Sequence, residues 1–376
     1  MIIGVDGNEA NVERRVGVNQ YAAGIINGLE RLEEGKKHQF IVYLSSLPLP
    51  HMPKAREGWK YRILGGSGLW IVRKLMFYLL KTREKPDVLF TPSHYSPPFL
   101  SMPSVVSIMD LGYLESHEQF RNRDFYQLKY WGMWSMFRAK KIIAISQSTK
   151  EQIGRNYPWA RKKIEVVYPG YDKEKYEILK FKDQMYRSRI KSKYGITSEY
   201  LLFLSTLKPS KNVEGLLEAY SILLQDNLEK RRSDIPQLVI AGKKGWLFES
   251  IFKKAKELGL ENFVIFTDFV SEEDKPWLIA GAKVFVAPSL WEGFGLHVLE
   301  AMALGVPVVA SNVGSLPEVV GDAGILVNPA DPKEIASGIE IALEKRTLLI
   351  HKSLIRARAF SWQKASLKTL RIFEQV

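Results

Sequence analysis

The chain has 376 residues, 46% hydrophobic and 25% charged, which is too long for one ordinary hydrophobic core and fits two globular domains. It contains no cysteine, which excludes disulfides, thiolate metal sites, iron–sulfur clusters and a thiol nucleophile, and fits a reducing compartment. A net charge of +13 implies attraction to an anionic partner, whether phospholipid, nucleic acid or a phosphorylated substrate, without choosing among them, or else a solvated surface that serves solubility.

The start, MIIGVDGNEAN, turns acidic early and lacks a basic leader and a long apolar run, so it does not read as a signal peptide. The apolar stretches fall short of the roughly 18 to 20 residues that cross a bilayer. Short apolar runs recur at Ile2–Asp6, Phe40–Leu44, Val88–Phe90, Val105–Ile108, Ile142–Ile145 and Val166–Tyr168, with helix-like segments between several of them. The pattern restarts at Leu201–Leu204, Leu238–Ala241, Phe263–Phe266, Val284–Val286, Val306–Ala310 and Ile325–Val327. Buried parallel strands alternating with helices produce this signature, so two doubly wound α/β domains are expected.

The polar stretch Tyr171–Lys193, after Pro169-Gly170, sets the hinge near residue 170. The domains are then 1–170 and 171–355, with a C-terminal helix in 356–376 that offers Phe360, Trp362, Ala365, Leu367, Leu370 and Phe373 for burial and is expected to pack across the junction. Two segments mix apolar or aromatic residues with basic ones: 68–83, GLWIVRKLMFYLLKTR, and 125–141, which holds Phe125, Tyr130, Trp131, Trp134 and Phe137. Either they are core helices with basic edges or they meet the headgroups of an anionic membrane. The basic excess is densest in 121–163, where only Asp124 and Glu151 oppose eleven lysines and arginines.

The segment Ala287–Val327 is the most specific. It reads as a strand end, a Gly-containing turn, a helix from about Leu296 to Leu304, another strand and a loop. Such a turn leaves backbone N–H groups unpaired at the positive end of the helix dipole, a ready diphosphate site. Gly293 and Gly295 permit close approach, and Glu292 and Glu300 place one carboxylate before the helix and one within it. Alone, a Gly-rich turn is equally a plain strand–loop–helix with solvated glutamates. Taken whole, Glu292-Gly293-Phe294-Gly295-Leu296, Glu300-Ala301 and Gly305-Val306-Pro307-Val308 resemble the donor motif of group 1 glycosyltransferases, also called family 4, which reads E-G-F-G-L-P-x-x-E-A followed by G-x-P-V-x-x-S. His297 stands where the family has proline and is expected to alter rigidity more than chemistry.

The stretch Leu202–Tyr220 resembles the family's G-x-x-x-P-x-K-N loop, with Ser205 and Thr206 at its start. By that resemblance Lys211 neutralises the donor diphosphate. Thr206 occupies the place of a common family arginine, for which Lys208 either compensates or is an exposed loop lysine. Gly242 ends a V-I-x-G strand, and the nucleobase is expected near Phe269 and Val270. In the first domain Gly17 resembles the glycine of a G-[IV]-x-x-Y turn. Val105–Glu115 matches V-x-x-I-H-D-L except that Met109 replaces the histidine; Asp110 remains, and His94 and His117 are the candidate substitutes or structural histidines.

The resemblance implies a GT-B fold, two Rossmann-like domains facing across a cleft, acceptor side first and donor side second, with the C-terminal helix crossing back. It implies retaining transfer of a hexose, without metal or other cofactor, from a GDP- or UDP-sugar to a saccharide or lipid-linked saccharide in polysaccharide or glycolipid synthesis. Lys211, Glu292 and Asp110 are the expected catalytic residues, and a cytoplasmic location, peripheral to the inner membrane face if the lipid contact is real, is expected. The alternative is a degenerate sugar-nucleotide-binding protein, because of Met109. A dinucleotide oxidoreductase is excluded, since G-V-D-G-N-E replaces any G-x-G-x-x-G after the first strand. An epimerase or phosphorylase shares the broad architecture, but the paired glutamates favour transfer. Specific nucleic-acid binding rests on charge alone and is not expected.

Overall fold

The computed structural model describes residues 1–66, 68–115, 122–178, 183–229 and 235–376. The chain forms two units, one of Met1–Gly170 with Phe360–Val376 and one of Tyr171–Ala359. Among the described residues, the first unit carries β1 (Ile2–Asp6), β2 (Gln39–Leu44), β3 (Trp59–Ile63), β4 (Val88–Thr91), β5 (Ser104–Ile108), β6 (Lys141–Ala144) and β7 (Ile164–Val166). They are parallel throughout, in the order β3-β2-β1-β4-β5-β6-β7. The second unit carries β8 (Tyr200–Leu204), β9 (Gln237–Ala241), β10 (Val264–Asp268), β11 (Val284–Ala287), β12 (Val308–Ser311) and β13 (Ile325–Val327), also parallel, in the order β10-β9-β8-β11-β12-β13. In each sheet the strand order reverses beside the first strand, between β1 and β4 and between β8 and β11. Loops leaving those strands diverge to opposite faces there and open a crevice at the carboxyl edge.

Each apolar run read from the sequence forms a strand, with two differences. β3, WKYRI, buries Trp59 but leaves Ile63 exposed, so this edge strand lacks a continuous apolar run. β7 begins two residues before the expected Val166, because Tyr168 leaves the sheet to pack edge-on against Phe360 at 5.7 Å. Of the two aromatic and basic segments, 68–83 spends Trp70, Leu75 and Leu79 on the core with Ile41, Tyr43 and Leu89. Among the described residues no helix is long and apolar enough to cross a membrane. His117 and Arg121 lie outside the described residues.

Helix Gly17–Arg31 buries Tyr21, Ala22, Ile25, Ile26 and Leu29 along one face. Its Gly24 and Gly28, one turn apart, form a seat for the C-terminal helix Trp362–Phe373: a Cβ on Gly24 would stand 2.3 Å from the Trp362 ring, and one on Gly28 2.1 Å from Ser366 Oγ. The C-terminal helix therefore belongs to the first unit, burying Ala365, Leu370 and Phe373 as expected, while Trp362 and Leu367 are only half-buried. Phe373 meets Phe90 of β4 at 5.1 Å. In the second unit, helix Val213–Glu229 turns Leu216, Leu217, Ala219 and Tyr220 into a core shared with β8, β9 and β11.

Helix propensity alone favours Ala over Gly by about 1 kcal/mol, so a loss of stability in Gly24→Ala isolates the packing of the indole. We expect a destabilisation of about 1–3 kcal/mol from overpacking, measured by urea unfolding, with the unfolding midpoint falling rather than rising.

Candidate active site

The loops leaving the carboxyl edge of the second sheet bring together the residues of two distant motifs. After β8 the chain passes Ser205 and Thr206, makes a one-turn 3-10 helix at Pro209–Lys211, and turns through Asn212 in the left-handed conformation (φ 53°). After β11 it runs through Ser289 to Glu292 and enters helix Leu296–Ala303. Leu290 N donates to Ser210 O at 2.9 Å, which pins the two loops together at the switch point. Gly242, closing β9, has φ 147°, and a Cβ there would stand 1.7 Å from Ser205 O, so only glycine lets these strand ends lie side by side. Phe269 is half-buried and Val270 buried at the end of β10, on the same edge.

Lys211 and Glu292 are each 8% exposed, and the Lys211 ammonium donates to Glu292 Oε1. Ser289 Oγ donates to the same oxygen at 3.0 Å. The Glu292 backbone is held as firmly: its carbonyl accepts from Ser315 Oγ at 3.0 Å, and a Cβ on Gly314 would press on it at 2.8 Å. Burial by itself raises the Glu292 carboxyl, but the charge of Lys211, then His297 and Lys208, brings it down to about 2. His297 Nε2 lies 3.5 Å from Glu292 Oε1. Burial lowers the imidazole below its usual range, against the pull of Glu292. Besides its place at the start of the helix, its ring therefore meets the carboxylate of the motif.

Helix Leu296–Ala303 begins from Gly295 at φ 86°, with Leu316 pressed where a Cβ would be. Its first turn presents the Leu296 and His297 N–H groups, which have no partner within the helix, and its dipole favours an anion there. Gly293 and Phe294 are buried, Phe294 at 2% exposure, so its ring faces the interior. Lys208 Nζ stands 4.8 Å from the centre of the Trp246 ring, an anchored rather than free loop lysine. Glu300, one turn further along the helix, accepts from Lys275 Nζ at 2.8 Å and from the Tyr176 hydroxyl. Neither Lys275 nor Tyr176 carries a sequence signal; both reach Glu300 only through folding.

In the first unit Gly17 opens its helix with nothing within 4 Å of a Cβ position. Asp110 follows β5, and its carboxylate accepts from Gly112 N at 2.8 Å, shaping the local turn. Met109 is buried and its carbonyl accepts from Thr149 Oγ1 at 3.0 Å. His94, after β4, sets Nε2 3.2 Å from Asp110 O, which brings it beside the position where the histidine of the resembled motif is missing. Among the described residues no group of three or more His, Asp or Glu side chains is arranged to hold a metal ion.

Residues 187–358 match the family Glycosyl transferases group 1, and residues 16–175 match Glycosyltransferase Family 4. The chain belongs to the group 1, family 4 glycosyltransferases. It is similar to an O-antigen chain mannosyltransferase B of Escherichia coli, 34% identical over 64% of this chain and 62% of that protein. It is also similar to a D-inositol 3-phosphate glycosyltransferase of Nocardioides sp., 32% identical over 63% of this chain and 54% of the relative. The matches thus span less than two thirds of these curated relatives. Among solved structures, Anabaena HepE in complex with UDP and glucose superposes with a TM-score of 0.72 at 18% identity, covering 100% of this chain and 99% of that one. WaaG, a glycosyltransferase involved in lipopolysaccharide biosynthesis, superposes with a TM-score of 0.71 at 17% identity, covering 99% of each. The two doubly wound units of this glycosyltransferase have the GT-B fold.

The buried Lys211–Glu292 pair makes the stability of the second unit depend on acid pH. Glu292 has a folded value below its ordinary 4.5, so its contribution is present above pH 4.5 and lost as pH falls toward 2. Lys211→Met strands the carboxylate and is expected to cost about 3–5 kcal/mol at pH 7, a deficit that narrows as pH falls from 7 toward 2, beginning above pH 4.5 because burial without Lys211 raises the carboxyl. Denaturant unfolding of both proteins across that range measures it.

Proposed function

We propose that this glycosyltransferase moves a hexose, mannose first among the candidates, from a GDP- or UDP-sugar to a saccharide or lipid-linked saccharide, with retention of configuration and without metal or other cofactor. The observation that carries the reading is the juxtaposition, at the switch point of the second sheet, of a helix N-terminus, Lys211 and the paired glutamates Glu292 and Glu300. As the glycosidic bond breaks, negative charge grows on the leaving diphosphate. Leu296 and His297 N–H groups and the Lys211 ammonium are fixed donors for that charge, so the transition state gains more than the ground state. Glu292, kept ionised, is suited to accept from sugar hydroxyls, and Glu300 from the ribose. A diphosphate oxygen on the same face takes the proton of the acceptor hydroxyl, so positioning supplies what a separate base otherwise would. We assign Asp110 a shaping role, since its carboxylate is engaged by Gly112 N. The mannosyltransferase relative supports the sugar, and the UDP and glucose complex of a protein with the same fold supports the donor class.

Met109 favours a second reading, a binding protein that holds the donor but turns it over poorly. Thermal stabilisation by UDP-, GDP- and ADP-sugars separates the cases. One base is expected to stabilise the protein selectively, with the shift lost in Lys211→Ala and Glu300→Ala. Proton NMR of the product formed from that donor is then expected to show the anomeric configuration of the donor. Stabilisation without turnover supports the second reading, and no stabilisation by any nucleotide sinks both.

We also propose peripheral contact with an anionic membrane through the first unit. Tyr126, Tyr130, Trp134, Phe137 and Trp159 are between 38% and 56% exposed; Tyr126 stacks on Tyr130 at 6.0 Å, while Phe137 meets Trp134 at 5.9 Å and Trp159 at 5.6 Å. Lys163 Nζ lies 5.8 Å from both the Phe137 and Trp159 rings. Burial, and then the like charges of Lys140 and Arg138, hold its ammonium below the usual lysine range, a crowding of cations that an anionic headgroup relieves. Aromatic bodies beside such cations suit a bilayer surface. Flotation is expected with phosphatidylglycerol-containing vesicles, not with phosphatidylcholine alone, and to fall at least several-fold in Trp134→Ala/Phe137→Ala; equal flotation of this variant removes the proposal.

A further inference from the structure

Lys275 is an unusual place for a cation. It is 7% exposed and opens helix Lys275–Ala280, where the helix dipole repels positive charge. Removing an ammonium from water costs several kcal/mol unless paired and hydrogen-bonded. Lys275 is paired twice: its Nζ lies 2.8 Å from Glu300 Oε1 and 3.3 Å from Glu272 Oε2. The helix that carries it is itself anchored. Trp277 stacks on Tyr186 with ring centres 4.8 Å apart and planes 10° apart, and Asp274 accepts from the Tyr194 hydroxyl at 2.8 Å and from Lys193. The ammonium is therefore aimed from a fixed base.

Glu300 has a second donor: Tyr176, 4% exposed, hydrogen-bonds to it through its phenol. A carboxylate held by two donors keeps one orientation. An acceptor fixed in one orientation binds hydroxyl donors more strongly than a freely rotating one.

We infer that Lys275 is a positioning residue for nucleotide recognition: held between Glu272 and Glu300, it holds the Glu300 carboxylate in one orientation toward the ribose hydroxyls of the donor. Together with Tyr176 it makes the site selective for ribonucleotides over their deoxy counterparts. The inference rests on the reading of Glu300 as the ribose ligand proposed above. It assigns the lysine no contact with the reacting atoms, so loss of Lys275 weakens donor binding and raises KM while changing kcat little.

Calorimetric titration tests this with UDP and GDP and with the 2′-deoxy and 3′-deoxy forms of each. Wild-type protein is expected to prefer the ribo form of its nucleotide by about tenfold or more. Lys275→Met is expected to weaken the ribo form about tenfold, leave the deoxy forms nearly unchanged, and so bring the preference close to one. In a Glu300→Gln background the same substitution is expected to add nothing further, because its effect passes through Glu300. If Lys275→Met does not fold, Tyr176→Phe, which removes only the second donor, is expected to shrink the preference in the same direction. A ribo preference that survives in the folded variants, or a loss shared equally by ribo and deoxy forms, overturns the inference while leaving the donor site standing. Absence of binding by wild-type protein to either nucleotide overturns the donor reading and this inference with it.

Discussion

A lysine and a glutamate withdrawn from water together hold the carboxyl edge of the second sheet in shape. Lys211 comes from the loop after β8 and Glu292 from the loop after β11, strands that are neighbours in the sheet but separated by 81 residues in the chain. Neither charge is tolerable there without the other. Their pairing fixes the path of both loops, and with it the entry of helix Leu296–Ala303, whose free N–H groups face the same edge. On the function proposed above, stability and chemistry draw on one contact: the group that keeps Glu292 ionised is also the group offered to a leaving diphosphate.

Topology explains why the contact falls where it does. The strand order reverses between β8 and β11, so the loops leaving these two strands part company and leave room at the edge. Backbone-only features complete the arrangement. Gly242 and Gly314 each allow a carbonyl, of Ser205 and of Glu292 respectively, to lie where any side chain would collide. The motif glycines thus serve packing between loops as much as access for a ligand.

The first unit repeats the topology with different chemistry. Its carboxyl edge has Met109 where the resembled motif has histidine, and the neighbouring strand end supplies His94, bonded to the Asp110 carbonyl. Its other specialised feature is outward: a set of aromatic rings whose flanking lysines and arginine have few acids to answer them. Burial at one edge and exposure on one face come from the same economy, since each helix of a doubly wound domain has one apolar stripe for the sheet, and any further aromatic residue must face water or a partner.

Chain-local information was enough for the strands, the two-unit organisation and the donor motif, because a parallel sheet buries continuous apolar runs and a strand–turn–helix spells its glycines and acids in order. It was enough to single out Lys211, Glu292 and Glu300, though not their partners. β3 escaped because an edge strand is half solvated and its residues alternate. Lys275, Tyr176 and the contact of His297 with Glu292 were decided only by tertiary structure: a lysine at the start of a short helix reads as a surface charge until folding removes its water. What a side chain faces across 25 or more residues depends on how separate elements pack, and no local periodicity encodes that.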